Sequence, residues 1–445
     1  MIGIWALGAY LAVIIIWTVL MRRNVGEAMI LGFIVAAAFS GSQMLPVGWA
    51  ALYEALTDEI VYATVIFVFM GYLLERAGVM ERMINLLDSL IGGHKGGAAY
   101  VSTVSSASLG SIVHNQAAIA ATVGSITIPW MERSKIDRPT AATIVAGNAG
   151  MGITFPFSAS MFVLVGSSTV GPLLSANELL VPLIFGGLWC VAHRLVVTYI
   201  LVRRSGAQAT PAEQRQLLSV AFRQGWSTLL LFVGVAIPMI ITSGAVAEAL
   251  SSYTQTNVAK AISPIFWIPI ALIVMGLLLG LGKLPRSLKA WSRMIEDSIP
   301  RFGIVGVTVL FAFAGANALA STGLPEQLTT VLNQLSLPVW LLALVIGLIV
   351  IAVAAPLSST ATMAAVGTVG VASLVAAGVP APTAAVAVLV FSSCEAAVPP
   401  GGAPLYVACG IAGVNPYSTF RRMMLFYALP LLAIGVLIAS GILPV

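Results

Sequence analysis

The segment from Tyr100 to Gly166 is apolar enough to lie in a bilayer, yet small and polar residues interrupt it twice. The first interruption is Ser105, Ser106, Ser108, Gly110, Ser111, His114, Asn115 and Gln116; the second is Gly147, Asn148, Gly150, Gly152, Thr154 and Pro156. Free backbone groups at membrane depth persist only where protein or a water-filled cavity covers them. The segment is therefore expected to be buried in a helical bundle and to bind something polar. It also has a counterpart. Pro139-Thr140-Ala141-Ala142 precedes Pro156 at the same spacing by which Pro382-Thr383-Ala384-Ala385 precedes Pro399. Upstream, Gly78-x-x-Glu81 opens an amphipathic stretch from Met80 to Leu90, and Gly323-x-x-Glu326 opens another from Pro325 to Leu335. Two interrupted apolar units in matching positions of two halves mark the binding site of a secondary transporter.

Composition sets the solvent. Of 445 residues, 59% are hydrophobic and 8% charged, with a mean hydropathy of +1.02. That is an all-α integral membrane protein; a transmembrane β-barrel would alternate apolar and polar residues in short segments instead of running apolar at length. The net charge of +5 sits at span ends, where it sets topology, so no nucleic-acid partner is expected. Ile2 to Leu20 is too long for a signal peptide and lacks a basic start. Cys190, Cys394 and Cys409 stand alone, without metal-ligand spacing. The three histidines are too scattered for an intramembrane enzyme, which needs a nucleophile beside its base or a metal cluster. A passive channel would not need two matched, interrupted units.

The charges order the chain across the membrane. Arg22 and Arg23 place the end of the first span inside. The loop carrying Glu54, Asp58 and Glu59 falls outside, and Arg76 and Arg82 return the chain inside. Lys95 flanks the uncharged stretch 97–129 on one side, and Arg133, Lys135 and Arg138 flank it on the other. Both ends are then cytoplasmic, so the stretch is a re-entrant hairpin with its tip near Ser111 to Gln116. Pro139 to Ser168 crosses with a break. Arg194, near the inner end of the next span, is expected to snorkel to the interface. Thr210-Pro211-x-x-Gln214 reads as the start of a short surface helix. From Phe302 to Phe420 there is no Lys or Arg, which fits a second unit inverted relative to the first. Residues 1–58 are then scaffold helices, and 59–178 are the first transport repeat with hairpin 97–129. Residues 179–300 are scaffold helices and cytoplasmic amphipathic segments. The second, inverted repeat is 301–413 with hairpin 334–381, its tip near Pro356 to Thr362, and 414–445 is a last scaffold helix.

A helix broken at mid-membrane exposes carbonyls at one end and N–H groups at the other. Carbonyls with Ser, Thr or Asn oxygens cage a small hard cation such as Na⁺; N–H ends favour an anion. One cation site is expected from Ser111, His114 and Asn115 with Gly147, Asn148 and Gly150. A second is expected from Ser358, Ser359 and Thr360 with Ser392, Ser393 and Val398. Whether side chains or backbone carbonyls act stays open, and close helix packing is the competing role for small residues. Substrate contacts are expected from His114, Asn115, Asn148, Thr154, Ser158 and Thr360. Neither broken unit contains Arg or Lys, so helix ends, bound cations and polar side chains would have to hold an anion. Glu395, an intramembrane carboxylate, is a candidate to ligate a cation or couple a proton.

The run Gly124-Ser125-Ile126-x-Ile128-Pro129, followed by Pro139-x-Ala141-Ala142 and Gly152-x-x-x-Pro156-x-Ser158, resembles the large membrane subunit of tripartite ATP-independent periplasmic (TRAP) transporters. So does Pro399-Pro400-x-Gly402-x-x-Leu405-x-Val407-x-x-Gly410-Ile411-Ala412. The resemblance covers nearly the whole chain. It implies an elevator-type importer of organic acids in the bacterial inner membrane, driven by Na⁺ bound at two sites at hairpin tips and broken helices. It also implies a periplasmic substrate-binding protein and a small four-helix membrane subunit as partners, besides membrane lipid. The alternative within the same superfamily is a sodium- or proton-coupled carboxylate carrier or antiporter that needs no binding protein. Phe155-Pro156-Phe157-Ser158 stands where the family usually has Pro-Pro-Ser, and Ser111-Ile112-Val113-His114-Asn115 where its first tip is Ser-Gly-Ser-like. Glu395 lies away from the family's common carboxylate position.

Overall fold

The computed structural model describes residues 2–21, 23–167, 169–209, 217–242, 244–256, 264–324, 327, 330, 337–354, 358–398 and 402–445. Among them there are helices and no strands, only a single isolated bridge between Lys95 and Ala209. Five of these helices are long and apolar enough to cross a membrane, or six if a pair bent by 54° counts as one span. The expected starts at Thr210 and Pro325, and Pro356 and Pro399, lie outside the described residues.

The N-terminal helices are α1 (Ile2–Ile15), α2 (Val25–Ala38), α3 (Met44–Thr57) and α4 (Glu59–Arg76). The acidic loop expected before Glu59 is therefore largely the helix α3. Its apolar residues Leu45, Trp49 and Tyr53 are exposed and fall on one face at helical spacing. The charge pattern that suggested a loop belongs to the helix end, Glu54 to Glu59. Next come the amphipathic α5 (Val79–Ile91), α6 (Gly97–Val113), α7 (Gln116–Arg133) and α8 (Arg138–Ala149). A 3₁₀ segment, Gly150–Thr154, leads to α9 (Ala159–Val165). Then follow α10 (Ala176–Ser205), α11 (Leu218–Thr242), α12 (Gly244–Thr254) and α13 (Pro264–Gly280).

The end of the expected scaffold segment 179–300 and the start of the expected second repeat are one helix, α14 (Leu288–Ala320), which runs through Pro300. A proline inside a helix removes one hydrogen bond; here packing of α14 along α2, α3 and α4 holds the helix together. The second half continues with α15 (Val339–Ala354), α16 (Ser359–Ala376), α17 (Ala381–Ser392), α18 (Ala403–Ala412) and α19 (Tyr417–Ala439). The order hairpin, straight helix, break, short helix thus occurs twice: α6–α7 with α8–α9, and α15–α16 with α17–α18.

These units interlock. From the first half, α7 and α8 pack on α18; from the second, α16 packs on α9. The helices α10 and α19, expected to belong to a scaffold, also pack directly on the repeats. Glycines permit the approach: a Cβ at Gly187 of α10 would lie 2.7 Å from the Phe155 ring, and one at Gly435 of α19 would lie 2.2 Å from the Phe391 ring. Small residues that let backbones close are the usual packing device in membranes. The helices α1, α2, α3, α4, α11, α13 and α14 also pack on one another, and α5 joins α6 to α11.

Candidate functional site

The first hairpin turns at His114 and Asn115. His114 takes the left-handed conformation at φ 54°, uncommon for a residue with a side chain. Asn115 then caps α7, its side-chain oxygen accepting from the Ala118 amide at 2.9 Å. In the second hairpin Ser358 caps α16 in the same way, accepting from the Ala361 amide at 3.2 Å. Both turns open into one cavity of about 280 Å³. Phe67, Gly71 and Glu75 of α4, Phe157 and Ala159 of the first break, and Glu395 and Ala403 of the second complete its wall. The first residues of α7, α9, α16 and α18 all line it, so four helix N-termini border one space, and no Lys or Arg is among the described lining residues. Helix N-termini carry a partial positive charge, which suits an anion; here the Ala118, Ala361 and Ser359 amides already donate to Asn115, Ser358 and Glu395.

A hydrogen-bonded clasp closes one side of the cavity and joins the two halves. Gln116 Nε2 donates to Ser359 Oγ at 2.7 Å and to Glu395 Oε2 at 2.9 Å. The Ser359 amide donates to the same carboxylate oxygen at 3.0 Å, and the Ser359 hydroxyl lies 3.1 Å from it and 2.9 Å from the Ser392 carbonyl. Glu395 is thus an acceptor between the two hairpin tips and the second break.

Behind the clasp Gly150 of the first break lies close against two oxygens of its neighbours, a recess that leaves no room for a Cβ. Gln116 Oε1 is buried without a hydrogen-bond partner among the described residues. A Cβ built on Gly150 would lie 2.2 Å from the Ser393 carbonyl oxygen and 3.1 Å from Gln116 Oε1. Only glycine fits there, because the backbones of the two breaks are in close contact. An orphaned amide oxygen beside a carbonyl is a pair of hard ligands of the kind that suits a hard monovalent cation. No group of three or more His, Cys, Asp or Glu that could hold a metal occurs among the described residues.

The expected residues divide accordingly. His114, Asn115, Ser358, Ser359, Thr360 and Glu395 line the cavity, and Gly150, Ser392 and Ser393 meet the clasp or the recess. Both ring nitrogens of His114 are buried. Other expected residues lie elsewhere. Gly147 packs on the Tyr427 ring, which a Cβ there would meet at 2.3 Å. Asn148 Nδ2 donates to Thr103 Oγ1 at 2.9 Å, which in turn meets Thr198 Oγ1 at 2.7 Å. Thr154 donates to the Met151 carbonyl at 2.8 Å, Ser111 to that of Ser108 at 2.9 Å, and Ser158 caps α9. Val398 packs at the edge of the core.

Two residues escaped the sequence reading. Gln116 was visible at the tip, but nothing in the sequence says that this tip meets Glu395. Arg194 does not snorkel: it is 0% exposed. Its guanidinium carbon is 6.0 Å from the centre of the Tyr427 ring, and none of its three nitrogens has a hydrogen-bond partner among the described residues.

Comparison with known proteins agrees with this architecture. Residues 12–443 match the family described as tripartite ATP-independent periplasmic transporter, DctM component. The chain is 25% identical over 301 residues to the C4-dicarboxylate TRAP transporter large permease protein DctM of Pseudomonas aeruginosa, covering 67% of this chain and 65% of that one. It is 22% identical over 375 residues to the sialic acid TRAP transporter large permease protein SiaM of Vibrio cholerae, covering 84% and 82%. A shorter match, 27% identical over 168 residues, is to the isethionate TRAP transporter permease protein DctMQ of Oleidesulfovibrio alaskensis; it covers 37% of this chain and 26% of that protein. Among solved structures, the Alcanivorax borkumensis YdaH transporter superposes with a TM-score of 0.59 at 16% identity, covering 90% of this chain and 89% of that one. That likeness concerns the fold.

Proposed function

This chain belongs to the DctM-component family of tripartite ATP-independent periplasmic transporters, a large permease of a membrane transporter, and from that premise we propose that it carries a small organic anion inward with Na⁺. The observation that carries the reading is the cavity on which four helix N-termini converge, with no Lys or Arg among its described lining residues. A carboxylate, or a comparable anion, is held there by backbone N–H groups, with His114 and Thr360 at hand for its remaining polar atoms. The relatives named above are described for a dicarboxylate, sialic acid and isethionate. All three are organic anions, so anionic character is the shared requirement and the size of the cargo is what varies.

Na⁺ is assigned to the recess formed by Gln116 Oε1 and the Ser393 carbonyl beside Gly150, with a second ion at the Ser358–Thr360 turn. The cation next to the cavity offsets the charge of the anion and of Glu395, which is why the two bind together. Gln116 serves both functions, since its amide nitrogen is in the clasp and its oxygen in the recess. A small four-helix membrane subunit and a periplasmic binding protein complete the transporter, and the chain spans the bacterial inner membrane. The two packing groups are the parts that move against each other in an elevator-type cycle. Gln116→Ala is expected to raise the Na⁺ concentration for half-maximal uptake by tenfold or more, as does Ser359→Ala. Asn148→Ala, away from the recess, leaves it within twofold. Equal sodium dependence in all three variants would overturn the assignment.

A further inference from the structure

At the end of α8 away from the break, a second pocket of about 310 Å³ opens between α8, α10 and the start of α19. Three guanidinium groups line it: Arg204 of α10, and Arg421 and Arg422 of α19. One carboxylate opposes them, that of Asp137, and it is already engaged. It caps α8, accepting from the Thr140 amide at 3.2 Å and hydroxyl at 2.6 Å, and it meets Arg422 at 3.3 Å. Arg204 lies over the Phe426 ring, 5.4 Å from its centre. Among the described residues neither Arg204 nor Arg421 has an acidic partner. The pocket therefore keeps an excess of positive charge and two arginines with donors to spare.

Its apolar wall continues onto surface of a different kind. Leu425 lines the pocket and is half exposed, and Leu429, further along α19, is exposed to the same extent. On α10, Val196 and Tyr199 are exposed as well. In a membrane protein such residues face acyl chains, and the pocket lies where that surface gives way to arginines.

We propose that this pocket binds a phosphate group, that of an acidic phospholipid whose acyl chains run along Leu425 and Leu429. Planar guanidinium forks bind phosphate oxygens two at a time, and arginine pockets between helices at the membrane surface select anionic head groups. A phosphate between Arg204 and Arg421 sits beside the Asp137–Arg422 pair, the contact that ties the start of α8 to α19. The site is independent of the cargo and of the coupling ion.

The test uses the full chain, with any membrane partner that co-purifies, in a zwitterionic detergent. Thermal unfolding is followed with added phosphatidylglycerol, phosphatidylcholine or inorganic phosphate, in the parent and in an Arg204→Gln/Arg421→Gln variant. Both side chains are exposed, so the ligand-free variant should unfold at the parent temperature. Native mass spectrometry of the same samples counts retained lipid and does not depend on thermal behaviour. Phosphatidylglycerol is expected to raise the parent midpoint by several degrees and phosphatidylcholine not to, with the variant losing the shift and one retained acidic lipid. A saturable shift from inorganic phosphate alone, also lost in the variant, would keep the phosphate site and assign it to a soluble ligand. Equal shifts from both lipids, or a phosphatidylglycerol shift that survives in the variant, would overturn the proposal.

Discussion

At the scale of single residues, Glu395 and Arg194 are the two buried charges with most to explain. Three donors converge on Glu395 Oε2. Hydrogen bonds to a charged group are worth about 1.5–3 kcal/mol and neutral ones about 1 kcal/mol, while an abandoned buried donor costs about 1–3 kcal/mol. Thermal unfolding should therefore rank the parent above Glu395→Gln and Glu395→Gln above Glu395→Ala. The reverse order would mean that the clasp is not a stabilising contact. Arg194 is the opposite case, a buried cation with no carboxylate pairing it among the described residues. Removing an uncompensated buried charge in favour of an apolar side chain of similar volume is often neutral or stabilising. Arg194→Met should unfold at or above the parent temperature; a fall of many degrees would show that the guanidinium holds the bundle together. Sequence could not reveal either environment. Arg194 stands near a span end, where arginines ordinarily reach water, and only the packing of Tyr427 and α17 against α10 seals it. The polar residues of the first break likewise looked alike, yet Gly150 reaches the recess while Asn148 bonds to Thr103.

At the scale of elements, α8 links the two pockets, with its capped start at one and its broken end at the other. Burial opposes ionisation of Asp137, but hydrogen bonds from the Thr140 hydroxyl and amide and from Arg422 outweigh it and hold the carboxyl below its ordinary range. A depressed carboxyl contributes stability above the unfolded-state value of about 3.9, and this is lost as pH falls through the folded-state value. Asp137→Ala should therefore cost about 1 kcal/mol near pH 7 through the lost cap. The gap from the parent should shrink as pH drops below about 4. A gap independent of pH would locate its origin elsewhere. The elements were largely legible where chemistry punctuates them. Ser, Gly and Pro clusters marked the first break and the turn at His114 and Asn115, because few other residues fit irregular backbone at membrane depth. They were not legible where charge suggested topology but packing decided, as in α3 and in the passage of α14 through Pro300.

At the scale of the whole molecule, the central feature is that each half completes the other's site. The first hairpin supplies Gln116 and the N-terminus of α7; the second half supplies Ser359, Glu395 and the N-termini of α16 and α18. The matched spacings announced two related units but not that their tips would share one cavity, since that depends on contacts far apart in sequence. In the sodium-coupled reading proposed above, such a jointly built cavity is what would couple the two solutes. The most direct test is uptake of candidate organic anions into proteoliposomes, with and without an inward Na⁺ gradient. It is run with the chain alone, then with its small membrane subunit and periplasmic binding protein. Accumulation that requires both the Na⁺ gradient and the full set of partners is the result expected. Equal accumulation without Na⁺, or uptake driven by a pH gradient in its place, would contradict the sodium-coupled account.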